Sequence, residues 1–544
     1  MSQPEVRGEF VSGGASGGLG GGGGADEVRT AQLMTACLEG IEGLPLVLEV
    51  SVGSGMPQVK VVGLPDAALR EARDRVRAAI RASGYSFPQG TVTVNVAPAR
   101  RRKEEGSGCD LALALGVLAA MPRPALDADR LGGVAALGEL SLTGETRAVR
   151  GALAAGEALA RAGARRLLVA AKSATQAALG ARGRLEVIPV ESLSQAVAIL
   201  AGRAPARALE VDPVAELGAP AAGDELELAE VRGAEQAKLA AVVSAAGGHD
   251  LLLVGPPGAG KTMLARRIPG LLPPLTLEEA LEVTRVHAAA AAADPDASLA
   301  RRRPFRAPHH TASYAALVGG SGPPRPGEIS LAHQGVLFLD ELPEFPLRTL
   351  EALREPLEAR SVTIARARGT HTFPCQFLLV AAMNPCPCGW EGDARRPCRC
   401  PSLAVERYQS RVSGPLLDRI DLSVRLQAVP FAALTAPPAP DDPWRTERRR
   451  AEVAAARALQ LERCGALNAR LDPRGLRRAW SATPEAQRAL GQAERAQLLT
   501  ARGVGKVQRV ARTLADLAGR ERIGADDVAM AVHLRIGEPR SRVA

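Results

Sequence analysis

One segment constrains the fold of this chain more than any other: the motif Gly255-Pro256-Pro257-Gly258-Ala259-Gly260-Lys261-Thr262. It fits the GxxxxGK[ST] pattern, follows the apolar run 251–254 and precedes a helical stretch that begins at Met263. A glycine-rich loop between strand and helix presents backbone N–H groups to phosphates, with Lys261 for the β- and γ-phosphates and Thr262 for Mg²⁺. The sequence therefore predicts an α/β fold with an ATP·Mg²⁺ site at residues 255–263.

Two other apolar runs end in polar residues that suit the same site. Residues 336–339 lead to Asp340 and Glu341, and residues 377–382 lead to Asn384. Because parallel strands place their sites at their carboxyl ends, we expect these side chains beside the loop. Asp340 would hold Mg²⁺, and Glu341 would orient the attacking water. Asn384 either contacts the γ-phosphate or water, or simply caps its strand.

The 544 residues are too many for one core and suggest about three domains. Residues 1–28 are a Gly-rich tail expected to be disordered, and 29–200 alternate strands and helices as one α/β domain. Residues 201–228 and 430–444 have linker composition, and 446–540 show helical periodicity. The ATPase core is accordingly predicted at 229–430.

Composition narrows the class of protein. The net charge of +9 is compatible with a polyanionic partner such as nucleic acid. The sequence contains no apolar run of 18 residues and no pattern of a secretory signal, so we expect a cytoplasmic protein without a membrane partner.

Four of the eight cysteines crowd into one short segment: Cys386, Cys388, Cys398 and Cys400. Two CxC pairs can form a tetrahedral Zn²⁺ site, or they are four reduced thiols in an ordered loop. His309 and His310 could ligate a metal or contact phosphate. On an extended segment adjacent side chains point to opposite faces, which disfavours joint ligation of one metal.

Several segments together carry a family resemblance, namely Pro304–His310, Pro326–His333 and Asn384–Gly389 around the motifs above. The chain resembles the ComM/YifB family of magnesium-chelatase-like AAA+ ATPases over nearly everything after residue 29. The resemblance implies a parallel-sheet AAA+ core with a C-terminal helical lid, working as a homo-oligomeric ring, a hexamer. It also implies an arginine finger, which matches Arg419, and a lid arginine near the γ-phosphate, for which Arg502 is the first candidate and Arg509 the second.

Residues 361–373 alternate in polarity and predict a β-hairpin that turns at Gly369. In this AAA+ clade such a hairpin projects into the ring pore. Arg366, Arg368 and His371 lie near its tip, where they would track a phosphate backbone; the alternative is a solvated basic tip.

The N-terminal domain resembles the family's Lon-protease-like domain of the S5 type. Ser107 matches the nucleophile position, but Leu153 stands where the catalytic lysine should be, so proteolysis is not expected.

The resemblance implies a ring motor on single-stranded or branched DNA, with branch migration or helicase activity on recombination intermediates during natural transformation. One alternative is a metal-chelatase motor subunit, which the Lon-like domain argues against because dedicated chelatase subunits lack one. A protein-remodelling ATPase is the other.

Overall fold

A computed structural model describes residues 29–62, 67–98, 108–218, 226–290, 299–320, 324–366, 369–393, 396–429, 441–496 and 499–536. It confirms the predicted fold class, an N-terminal α/β domain, a P-loop core with a parallel sheet, and a C-terminal helical region. The Gly-rich tail, Ser107 and Arg368 lie outside the described residues.

The N-terminal domain is built on a mixed seven-stranded sheet in the order β3-β4-β2-β1-β5-β8-β9. Its strands, with the short pair β6 and β7, are β1 (Arg29–Glu39), β2 (Glu42–Gly53), β3 (Gln58–Val62), β4 (Thr91–Ala97), β5 (Val134–Leu137), β6 (Glu139–Leu140), β7 (Thr146–Arg147), β8 (Arg166–Ala170) and β9 (Glu186–Val190). Its helices are α1 (Ala67–Ala82), α2 (Asp110–Ala120), α3 (Ala152–Arg161), α4 (Ala174–Ala181) and α5 (Leu193–Leu200). Helix α2 is apolar on all sides and buried along its whole length, as expected for a helix enclosed by its domain.

The ATPase core contains a five-stranded parallel sheet in the order β11-β12-β15-β10-β16. Its strands are β10 (Leu251–Val254), β11 (Phe305–Arg306), β12 (Val336–Leu339), β15 (Leu378–Met383) and β16 (Leu422–Arg425), with the hairpin strands β13 (Ser361–Arg366) and β14 (Gly369–Pro374). The helices of this part are α6 (Pro213–Gly218), α7 (Glu235–Gly247), α8 (Lys261–Ala265), α9 (Ile268–Leu271), α10 (Leu277–Ala289), α11 (Tyr314–Val318), α12 (Glu328–Leu331), α13 (Leu347–Glu351), α14 (Arg354–Ala359), α15 (Ser402–Gln409) and α16 (Gly414–Leu417). Because β15 lies between β10 and β12, the residues that follow these three strands come to one edge of the sheet.

The C-terminal region is helical and packs on the core. Its helices are α17 (Thr446–Cys464), α18 (Pro473–Ala479), α19 (Pro484–Arg495), α20 (Ala501–Leu517) and α21 (Ala525–Ile536). Val507 and Leu534 share one buried cluster with Leu253 of the central strand. In the part of the chain with assigned structure, no helix is both long and apolar enough to cross a bilayer.

The segment expected to be a linker, residues 201–228, is packed against both neighbouring domains where it is described. It includes the helix α6, whose Glu216 pairs with Arg301 of the core at 2.6 Å. Leu209 packs against the N-terminal domain, and Leu228 is fully buried in the core cluster. Although its composition is typical of a linker, the described part of this segment is fixed to both domains, because a few apolar and charged residues anchor it. The domain boundaries themselves stay predictions.

Leu153 shows why a lysine would be poorly accommodated at this position. Its side chain is 1% exposed and packs with Leu179 of its own domain against Leu275, Leu281 and Leu299 of the core. A lysine here would bring its charge into this cluster of leucines, and burying a charge among apolar side chains is costly. The position thus serves the contact between the two domains.

Replacing Leu153 with alanine is expected to lower the free energy of unfolding by about 2–5 kcal/mol, because it removes a buried side chain from a packed cluster. The matched control is Leu142→Ala, since Leu142 is 63% exposed and its loss should change stability by no more than about 0.5 kcal/mol. Urea unfolding of both variants measures the difference. Equal midpoints for the two would contradict the packing role of Leu153.

The hairpin β13–β14 pairs from Ser361↔Pro374 out to Arg366↔Gly369. Gly369, at which the turn was predicted, is therefore the first residue of the return strand. Val362, Ile364 and Phe373 are buried in the core and anchor the base. The N-terminal domain meets this hairpin: a Cβ on Gly40, in the β1–β2 turn, would lie 3.1 Å from His371 Nδ1, and Ile41 packs against the same core cluster.

Candidate nucleotide site

The motif loop leaves the central strand β10 and adopts a backbone that only glycine accommodates well. Gly258 and Gly260 have φ of +76° and +83°. A Cβ at either position would meet nothing within 4 Å, so the left-handed backbone, and not crowding, requires glycine there. At Gly255 the reason is space, since a Cβ would lie 2.7 Å from the carbonyl oxygen of Leu426.

Lys261 is buried at the start of α8. Its Nζ donates to the carbonyl oxygens of Gly255 at 2.6 Å and Pro256 at 3.0 Å, and to Asn384 Oδ1 at 3.0 Å. Burial lowers the pKa of the ammonium group, while the charges of Asp340 and Glu341 oppose that shift. The contact with Asn384 joins the loop to the neighbouring strand β15, as the strand-end argument anticipated.

Thr262 and Asp340 meet at the same edge. Thr262 Oγ1 donates to Asp340 Oδ2 at 2.7 Å, and the backbone N–H of Glu341 donates to Asp340 Oδ1 at 2.9 Å. Adjacent ligands of an octahedral Mg²⁺ ion lie about 3 Å apart, given metal–oxygen distances near 2.1 Å. The hydroxyl and carboxylate therefore have the chemistry and the spacing of two neighbouring Mg²⁺ ligands.

Glu341 has an unusual backbone and a partner that the sequence analysis missed. Its φ is +52°, a left-handed conformation that costs a non-glycine residue about 1–2 kcal/mol. Its side chain is 53% exposed, and Oε2 lies 3.0 Å from His310 Nδ1. The rings of His309 and His310 lie side by side, with centroids 4.1 Å apart and planes tilted by 34°, so the expectation that the two imidazoles face opposite ways was wrong. The reason is that the segment turns after β11 and is not extended there.

A cleft of about 580 Å³ adjoins the first half of the motif loop. It is lined by residues from four places: Gly233–Ala237 before and in α7, Val254–Pro256, the β16 end Ser423–Val429, and His533 and Leu534 of α21. Pro385, Glu391, Gly392 and Asp393 complete it. The loop carries the phosphate-binding groups, so this cleft has the position and size to receive a nucleoside.

The four clustered cysteines belong to the cysteine loop, defined here as residues 385–400. Their Sγ atoms all lie within 4.8 Å of one another, and three of the pairs, 386–388, 386–398 and 388–398, are 3.4, 3.6 and 3.6 Å apart. Such distances exceed a disulfide bond of about 2.05 Å. They approach the roughly 3.8 Å edge of a Zn–S tetrahedron with bonds of about 2.3 Å.

Three arginines with predicted roles differ in their surroundings. Arg419 Nη2 pairs with Glu358 of the same chain at 2.7 Å, and Nη1 donates to the Pro415 carbonyl. Arg509 donates to the Leu471 carbonyl at 2.8 Å, within the helical region. Arg502 is exposed at the start of α20 and does not line the cleft, where the lid instead contributes His533 and Leu534. The roles assigned to Arg419, Arg502 and Arg509 stay predictions.

Lys506 of the lid helix α20 has a structural partner in the core. Its Nζ lies 2.8 Å from Asp421 Oδ1 at the start of β16. Lys506 and His249 hold the pKa of buried Asp421 at about 2, against the opposing effect of burial. The lid is thus tied to the core by a charge pair.

Three family models cover most of the chain. "Magnesium chelatase, subunit ChlI" matches residues 227–434, "Subunit ChlI of Mg-chelatase" matches 48–173, and "Magnesium chelatase, subunit ChlI C-terminal" matches 444–535. The N-terminal domain, which was expected to argue against a chelatase subunit, thus itself matches a model described by a chelatase subunit.

Curated relatives are similar over almost their whole length. An uncharacterized protein of Mycobacterium tuberculosis is 43% identical over 510 residues, which is 92% of this chain and 97% of the relative. YifB of Salmonella typhimurium is 41% identical over 497 residues, 91% and 95% of the two chains. The competence protein ComM of Haemophilus influenzae is 39% identical over 497 residues, again 91% and 95%. The motif loop, the carboxylate pair and this near full-length similarity agree: the chain belongs to the ComM/YifB family of magnesium-chelatase-like AAA+ ATPases.

Proposed function

We propose that the protein is an ATP-driven hexameric ring motor that acts on DNA, by branch migration or unwinding of recombination intermediates. The observation that carries the proposal is 39% identity, over 95% of the relative's length, to a protein named as a competence protein. The net charge of +9, and a hairpin whose outermost described pair includes Arg366, suit a phosphate backbone. Family membership supports assembly into an oligomer.

In this proposal each residue at the site has a distinct task. The loop 255–260 and Lys261 bind and orient the phosphates, and Asn384, through its contact with Lys261, positions that charge. Glu341 accepts a proton from, or orients, the attacking water. Thr262 and Asp340 would hold Mg²⁺, which neutralises charge on the β- and γ-phosphates when bound. Arg419 would reach a neighbouring subunit's nucleotide once its pair with Glu358 opens.

DNA is expected to stimulate ATP turnover, with the largest effect from a four-way junction. Purified protein is assayed without DNA and with single strands, duplex and junction at two salt concentrations. Replacing Arg366 and Arg368 together by glutamate should reduce the stimulation and its dependence on salt, because fewer phosphates are neutralised. Arg448 and Arg488 replaced together by glutamate are the matched control, since both are exposed arginines of the C-terminal helices. An ATP turnover rate that is the same with and without each DNA would contradict the proposal of a DNA motor.

A second candidate is a motor subunit of a metal chelatase, favoured by the descriptions of the three matching family models. The same assay separates the two candidates. Turnover that ignores DNA but responds to a chelatase partner protein would favour this second function. A response to neither would leave a protein-remodelling ATPase.

We also propose that Cys386, Cys388, Cys398 and Cys400 bind one Zn²⁺ ion. Four soft thiolate ligands at tetrahedral spacing match the preference of zinc in structural sites. The backbone N–H of Cys400 donates to Cys398 Sγ at 3.4 Å. Such N–H donors stabilise thiolate charge and orient ligands in metal sites.

A further inference from the structure

The cysteine loop lies beside the nucleotide site at its start, at Gly389 and at residues 391–393. It begins one residue after Asn384, whose amide oxygen accepts from Lys261 Nζ. Its first cysteine, Cys386, is fully buried behind this contact. The position of the loop and the position of the lysine contact are therefore coupled through two residues of chain.

In the middle of the loop, Gly389 rests directly on the motif loop. A Cβ at Gly389 would lie 2.6 Å from Pro257 Cδ and 3.0 Å from Pro257 Cγ. Gly389 also has φ of +84°, and its N–H donates to the carbonyl oxygen of Cys386 at 2.9 Å. A side chain at residue 389 would consequently strain this turn and push on the phosphate-binding loop.

Past Gly389, the loop forms a wall of the cleft. Glu391, Gly392 and Asp393 line it opposite Arg425, whose Nη1 would lie 3.2 Å from a Cβ on Gly392. Outside the cysteines, the wall is fastened by Gln409 of α15, which donates to the Pro385 carbonyl at 2.8 Å and to Glu391 Oε2 at 3.1 Å.

Short-range contacts also hold this wall: the N–H of Asp393 donates to the Trp390 carbonyl at 3.1 Å, and the N–H of Arg396 donates to Asp393 Oδ1 at 2.9 Å. Among its described residues, 385–393 and 396–400, none belongs to a helix or a strand. A loop of this length without regular structure has low local stability unless it is cross-linked, and a structural metal supplies such cross-links.

We propose that the metal held by the four cysteines is part of the nucleotide-binding apparatus: it fixes Gly389 against Pro257 and holds the cleft wall, so that nucleotide affinity depends on metal occupancy. The inference rests on the zinc site proposed above and is independent of whether the motor acts on DNA. The ligand class is a nucleoside triphosphate, and the metal has a positioning role.

The test measures binding rather than turnover. Zinc content of the full chain is determined by mass spectrometry, and the Kd for a fluorescent, non-hydrolysable ATP analogue is measured with Mg²⁺ present. A zinc-selective chelator then removes zinc while leaving Mg²⁺ in place. We expect one zinc per chain, a Kd that rises about tenfold on zinc removal, and recovery when zinc is added back.

Two variants distinguish a specific effect of zinc on nucleotide affinity from a general loss of the folded structure. Gly389→Ala leaves all four thiols in place and should retain zinc while raising the Kd about tenfold. Cys464→Ser removes a cysteine of α17 far along the chain from the cluster and should change neither zinc content nor Kd. Zinc-depleted protein that is folded by circular dichroism and binds the analogue as tightly as before would overturn the coupling, as would a Gly389→Ala protein with unchanged Kd. A wild-type chain that takes up no zinc would overturn the metal site itself.

Discussion

The Glu341→Gln protein is expected to hydrolyse ATP about 10²–10⁴-fold more slowly than the wild type while binding ATP nearly as well. Glutamine keeps the size of the side chain and can still accept a hydrogen bond from His310, but it cannot take a proton from water. The backbone strain at residue 341 is the same for both side chains, so the local fold should persist. Steady-state phosphate release and analogue binding measure the two quantities separately.

Glu344→Gln is the matched control for this change. Glu344 lies three residues further on, is partly exposed and pairs with Arg411 at 2.8 Å. Its neutralisation should leave turnover close to that of the wild type. If both variants hydrolyse ATP at the wild-type rate, Glu341 is not the group that activates water.

Lys261→Ala is expected to weaken ATP binding by about 10²-fold, because charge-assisted hydrogen bonds to phosphate are worth about 1.5–3 kcal/mol. Turnover should fall by at least about 10²–10³-fold, since the same charge stabilises the transition state. The substitution also leaves the carbonyl oxygens of Gly255 and Pro256 and the amide oxygen of Asn384 without the ammonium donor seen here. Equilibrium binding and turnover are measured on the same preparation.

Lys60→Ala controls for the loss of a positive charge, because Lys60 is exposed on β3 of the N-terminal domain. A melting curve for each variant shows whether the fold is retained. Wild-type affinity in a folded Lys261→Ala protein would contradict the assignment of residues 255–262 as the phosphate site.

The central part of the site could be predicted from the sequence because it depends on local rules. Asp340 and Asn384 follow buried strands, and the ends of neighbouring parallel strands must meet. The same rule reaches His310, which follows β11, the neighbour of β12. Its contact with Glu341 was missed because β11 is only two residues long and carries no strand-like pattern.

The lining of the cleft could not be predicted in that way. Ala234, His533 and Arg425 come from elements nearly 300 residues apart, and no local pattern indicates that they share a surface. The sequence drew attention to Leu153 because it stands at the position expected for a catalytic lysine. Its contacts with Leu281 and Leu299 follow only from how the two domains pack. The spatial clustering of the four thiols agrees with the expectation from spacing, while the contact of Gly389 with Pro257 needed the folded chain.

The turn between β1 and β2 gives the hairpin β13–β14 a second support outside the ATPase sheet. A hairpin fixed only at its base would bend easily when a force acts on its tip. Here Gly40 lies against His371, two ladder positions from the outermost pair, and Ile41 packs on the core cluster that contains Val362 and Ile364. Force applied near the tip would therefore be divided between two domains, so the stiffness of the seven-stranded sheet helps to set how far the hairpin yields under load.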